Sequence, residues 1–115
     1  SRPGDPDEMR AFVETNPDAA GIGYAALAAA LLGNGRVSEA IDASDTAATM
    51  LGEWAKDDFR EHQNLQLIRA LRAVAVFKSG DRDLARNEAL RLSDELDSKR
   101  LPGILVGEVL AATAE

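Results

Sequence analysis

Carboxylates and arginines are the chemically versatile side chains this sequence has in quantity, with 20 Asp and Glu against 13 Lys and Arg. There is no cysteine, which excludes a disulfide framework, a thiolate zinc site and a cysteine nucleophile together. The single histidine, His62, excludes an HExxH site and any two-histidine ligand set. It falls near the start of a helix and reads as a solvent-facing or capping residue. Acids gather at Asp5-Pro6-Asp7-Glu8 and at Asp94-Glu95-x-Asp97. A calcium loop alternates oxygen ligands around a glycine turn over about twelve residues, and neither cluster does so. Both read as helix-end charge and solvated surface. Glu53, Asp57 and Glu61 are spaced i, i+4, i+8 and would form an acidic stripe if one helix ran through them. Paired carboxylates in a cleft perform acid–base chemistry, but nothing in the sequence buries these three. Gly21-Ile22-Gly23 superficially has the form of a phosphate loop, yet no strand precedes it and it sits inside a helix, where glycines serve close packing. The expectation is no catalytic set, no metal site, no cofactor and no enzyme.

Two arginines are more informative. Arg69 and Arg72 interrupt the stretch in which burial is most expected. Either they pair with carboxylates of a neighbouring helix, or they face a groove and hold an acidic partner or ligand. Trp54, the only tryptophan, falls on an apolar stripe and reads as packing; an exposed tryptophan there would instead anchor an interface.

The elements that position these residues are helices. A length of 115 residues makes one domain, and 45% hydrophobic with 29% charged residues is a soluble globular composition. Aromatics are 4%, strand alternation is missing, and alanine, the best helix former, dominates. The net charge of −7 repels phosphate backbones, so direct nucleic-acid binding is not expected. No apolar run reaches the ~20 residues that cross a bilayer. The opening Ser1-Arg2-Pro3-Gly4 is followed by no apolar stretch and does not read as a signal peptide; it reads as a start cut from a longer protein or as one left by processing. The expected compartment is the cytoplasm. Abundant Ala, Leu and Arg with only three lysines resembles the usage of GC-rich bacteria.

Punctuation divides the chain. Asp5 caps a short helix with Pro6 at its first position and Met9, Phe12 and Val13 on one face. Asn16-Pro17-Asp18 repeats that signal and opens a second helix to about Leu32, stopped by Gly33-Asn34-Gly35. A third runs from about Val37 to Ala55. Asp57 or Asp58 caps a fourth, to about Lys78, that is apolar on more than one face from Leu65 onward and is therefore central. Ser79-Gly80-Asp81 ends it. A fifth carries Leu84, Ala85, Ala89, Leu92 and Leu96 and ends at Asp97-Ser98-Lys99-Arg100. Pro102 opens a sixth.

A shift of 45 residues superposes the chain on itself. Ala28 meets Ala73, Leu31 meets Val76, Leu32 meets Phe77, Gly35 meets Gly80, Ala40 meets Ala85, Ala47 meets Leu92 and Leu51 meets Leu96. Small residues where helices cross allow axes at the short end of about 8–10 Å. The segment Tyr24-x-x-Leu27-Ala28-x-x-Leu31-x-x-x-Gly35-x-Val37-x-x-Ala40-x-x-x-Ser44-x-x-Ala47 resembles a tetratricopeptide repeat (TPR). The second copy departs from it at Arg69 and Arg72, which replace Tyr24 and Leu27, and the period exceeds the ~34 residues usual for that repeat. The resemblance covers residues 17–115, as repeats over 17–56 and 58–98 and a half repeat over 102–115, with 1–16 as an N-terminal extension carrying a short helix. Long repeats of this kind resemble those in bacterial multi-domain regulators and scaffolds.

The expected fold is thus all-α, about six helices, with antiparallel pairs stacked as a short TPR-like right-handed superhelix. The resemblance implies a concave groove lined by the first helix of each pair: Ile22, Ala25, Ala26, Ala29 and Leu32, then Leu67, Ala70, Leu71, Val74 and Lys78, with Arg69 and Arg72 as polar candidates. Family members that grip a peptide's terminal carboxylate use lysine and asparagine there, and this chain has small and apolar residues instead. Such a groove suits an apolar or amphipathic partner helix. The alternative is that these residues are core, with Met9, Phe12 and Val13 of the first helix filling the groove. The expected function is a non-catalytic module binding a protein or peptide partner. The alternative is an oligomerisation domain, a homodimer through the free faces of helices four and six, or a ligand-sensing domain within a transcriptional or signalling regulator.

Overall fold

Each helix begins and ends for a local reason. In the computed structural model, which describes residues 5–15, 20–52 and 56–114 and only the backbone of 20–22, the elements are α1 (Pro6–Thr15), α2 (Ala20–Gly33), α3 (Val37–Leu51), α4 (Phe59–Lys78), α5 (Arg82–Ser93) and α6 (Leu101–Thr113). No strand occurs among the described residues. The Asp5 carboxylate accepts the Asp7 amide at 2.9 Å and opens α1. Of the two candidate caps for α4, Asp58 holds the position, accepting the Arg60 amide at 2.8 Å. Asp81 does the same for α5 through the Leu84 amide at 3.2 Å. The expected cap at Asn16-Pro17-Asp18 lies outside the described residues, as does Trp54.

Gly35 (φ 74°) and Gly80 (φ 101°) are the positive-φ residues of the described backbone. Both occupy the left-handed region that L side chains avoid, one at each turn of the 45-residue period. The short α2–α3 and α4–α5 connections make antiparallel neighbours. The same shift relates burial: Ala28 and Ala73 are fully buried, and so are Ala40 and Ala85. Leu31 and Val76 likewise occupy matching core positions.

Two expectations differ from the structure. Helix α5 stops at Ser93 rather than running to Leu96. Leaving the helix early lets Leu96 fold over Ala89, Val106 and their neighbours, while the 94–100 connection turns the chain back into α6. Of the conditional acidic stripe, Glu53 lies outside the described residues, and Asp57 precedes α4, so it does not share a helical face with Glu61. Glu61 Oε2 is buried with no hydrogen-bond partner among the described atoms.

Helix α4 is central, packing against α2, α3, α5 and α6, whereas α1 lies mainly on α2, with Arg10 paired to Glu39 of α3 at 3.8 Å. Three core clusters follow from this. Leu27, Leu31, Ala40, Ala43, Leu71 and Ala75 join α2, α3 and α4. Ala47, Leu51, Leu65 and Ile68 close the other end of that junction. Ala70, Val76, Ala85, Ala89, Val106 and Val109 join α4, α5 and α6. Helix α1 docks through Val13, which lies so close to Gly23 that a β-carbon there would stand 2.6 Å from its methyl. Arg36 supports the dock from below: it donates to Asp7 at 3.2 Å and to Glu39 at 2.9 Å. The radius of gyration is 13.6 Å, the value of a compact domain of this length, ~13 Å. Two helix pairs flanked by one helix at each end are too few to trace a superhelical turn.

Candidate functional site

Helices α3 and α5 both pack on α4 but not on each other, so a cleft runs between them over one face of α4. Arg72 stands in this cleft. Its Nε donates to Asp45 Oδ1 of α3 at 2.6 Å, and its Nη1 donates to Glu88 Oε1 of α5. The position equivalent to Arg72 in the first pair is Leu27, which is fully buried. Where the helices part, a leucine would leave a void, and the longer arginine spans it. Desolvation alone would lower the Arg72 pKa; hydrogen bonds to Glu88 and Asp45 outweigh it and hold the guanidinium above its usual range. Arg72 is thus a strut between α3 and α5, as one of the two expected roles of this residue required.

Around the strut lies a cavity of about 300 Å³ lined by Ala48, Arg69, Arg72, Glu88 and Arg91. Arg69 and Arg91 are exposed, and among the described residues neither makes an ion pair or hydrogen bond. Three arginines therefore meet two carboxylates, a local positive excess on a chain of net charge −7. Guanidinium forks of this kind recognise carboxylate or phosphate oxygens.

The groove expected on α2 and α4 is arranged differently. At 3.6 residues per turn, Leu67, Leu71, Val74 and Lys78 share one side of α4, and Arg69 and Arg72 lie roughly half a turn away. The structure brings the two arginines together with Arg91 and separates them from the apolar stripe. Leu71 is buried beside Leu27 and Leu31. Ala70 is fully buried in the cluster shared with α6, against which Val74 also packs. Leu67 is half-buried and borders a second cavity, with Gln63, Gln66 and Pro102 among its walls, of about 400 Å³. Lys78 and Ala29 are exposed, Ala26 and Leu32 half-buried, and Ala25 buried; the Ile22 side chain lies outside the described residues. Met9 of α1 packs against the cluster that Leu27, Leu31, Leu71 and Ala75 form, whereas Phe12 is exposed.

Asp45, Glu88 and Arg91 were not singled out by the sequence reading. The available signal was weak: Glu88 and Arg91 are spaced i, i+3 on α5 and so share a face. His62 is exposed, in agreement with its expected solvent-facing position. Among the described residues, no group of three or more His, Asp or Glu is placed to hold a metal ion, and no helix is long and apolar enough to cross a membrane. No protein-family model, curated protein or solved structure matches this chain.

Proposed function

We propose that this chain is a non-catalytic TPR-like helical-pair module that docks a protein or peptide partner. The observation that carries the reading is the 45-residue period, which relates not only residue types but also backbone and burial. Gly35 and Gly80 share a positive φ, and the crossing alanines Ala28 and Ala73, Ala40 and Ala85 share full burial. Repeated helix pairs that stack through small residues leave their outer faces free to vary, and partners are bound on such faces. In this reading the pairs are the beginning of a right-handed stack, within a larger bacterial protein of the cytoplasm.

The test is a pull-down with the intact protein as bait, in wild-type form and as Ala29→Glu and Arg69→Glu. Both positions are exposed, so both variants keep their circular dichroism. A partner lost with one variant and kept with the other supports docking and locates the face. Recovery indifferent to both overturns it.

A second reading is favoured by exposed apolar side chains near the start of α4 and α6: Phe59 is 73% exposed, Leu101 56% and Ile104 45%. Exposed apolar side chains of this kind can pair with those of a second copy in homodimers.

A further inference from the structure

We propose that the cleft between α3 and α5 binds carboxylates of an acidic peptide segment, with Arg69 and Arg91 gripping the anion and Arg72 as the fixed post between them. The proposal rests on the reading of the chain as a docking module and names the chemistry of its partner. Four observations carry it. Acids outnumber bases by seven in this chain, so exposed arginines have many carboxylates available, yet Arg69 and Arg91 pair with none among the described residues. They stand on different helices and line one cavity of about 300 Å³. The cleft is spanned by Arg72, which ties Asp45 to Glu88 and offsets part of the negative charge that would otherwise repel an incoming anion. The repeat pattern is abandoned at this site, where Arg69 and Arg72 replace the Tyr24 and Leu27 of the first copy.

A peptide fits better than a free small anion. Small-molecule sites bury most of their ligand in about 300–1,000 Å³, and this cavity is at the lower end of that range. Its cationic groups are exposed, so they meet an anion at the mouth, where side chains of a docked surface lie. Two exposed arginines are too few to follow a phosphodiester backbone, whose affinity comes from many neutralised phosphates.

The test is an amide-resolved NMR titration of the full chain at low salt. The probes are an acetylated, amidated hexaglutamate peptide, citrate and inorganic phosphate. The expected result is shifts at Ala48, Arg69, Arg72 and Arg91 with the peptide, fading as salt is raised. An Arg69→Gln/Arg91→Gln variant is expected to bind the peptide at least tenfold more weakly, with unchanged thermal stability because neither residue is paired. Shifts elsewhere, or a variant within twofold of wild type, overturn the proposal. Citrate or phosphate binding as tightly as the peptide overturns the peptide as occupant. If the peptide fails at the cleft while a pulled-down partner is still lost on Ala29→Glu, this inference falls and the docking function stands.

Discussion

Arg72 shows how one side chain couples structure to a binding surface. Its side chain is about three-quarters covered and that of Glu88 to a similar degree, whereas the Asp45 side chain is 54% exposed. Truncation to alanine removes two charge-assisted hydrogen bonds and leaves the Glu88 carboxylate poorly solvated. The expected loss is about 1–3 kcal/mol. Arg72→Met keeps the aliphatic stem across the gap and lets Asp45 take water, so it is expected to lose less than the alanine variant. Urea denaturation at neutral pH checks the order. Equal losses would mean that the ion pairs, and not the packing of the stem, carry the whole effect. Arg69 and Arg91 are the contrast: charge without a partner is not needed for folding.

At the scale of the helices, two glycines on α6 separate close approach from mere propensity. A β-carbon at Gly103 would stand 2.1 Å from the Asp97 carbonyl oxygen and 3.0 Å from the Ser98 Cα. Both obstacles are backbone of the α5–α6 connection and have no rotamer to yield. Gly103→Ala is expected to destabilise by about 2–3 kcal/mol, in the range of overpacked sites. Gly107 sits one turn further with nothing within 4 Å of a β-carbon. Gly107→Ala is expected to stabilise by up to about 1 kcal/mol, the helix propensity difference. Opposite shifts of the melting temperature check the pair.

The same scale shows what was legible in the sequence. Asp5 and the pair Asp57–Asp58 announced helix starts because a cap is a local interaction within three residues, whereas Asp81 read only as the end of the preceding helix. The end of α5 was not legible, since it is set by Leu96 packing on Val106 and its neighbours, a contact between elements. Arg69 and Arg72 stood out as departures from a repeat. Their neighbours Arg91, Glu88 and Asp45 did not, because which face α5 and α3 turn towards α4 is decided by tertiary packing. That the arginines and the Leu67–Leu71–Val74–Lys78 stripe belong to different sides of α4 was available from helical geometry alone.

For the whole molecule, the decisive quantity is whether a second copy covers the apolar ends of α4 and α6. The buried apolar residues of α6, Val106 and Val109, already pack with α4 and α5, while Leu101 and Ile104 remain exposed. Two forces then oppose each other. Covering exposed leucine and isoleucine gains roughly 25 cal/mol per Å² of apolar area, but association also costs at least several kcal/mol in lost freedom. Two copies that each carry −7 repel as well, most strongly at low salt. Two or three apolar side chains do not outweigh both costs. Light scattering is therefore expected to give a monomer mass near the 12.2 kDa of the chain at low salt and across a range of concentrations. A mass near twice that value, returning to the monomer in Ile104→Glu, would establish the α4–α6 surface as a self-association face and favour the oligomerisation reading. A monomer at both low and high salt leaves the cleft between α3 and α5 and the α2–α4 face for a foreign partner. The acidic peptide and the two exposed pull-down variants then distinguish between those two surfaces.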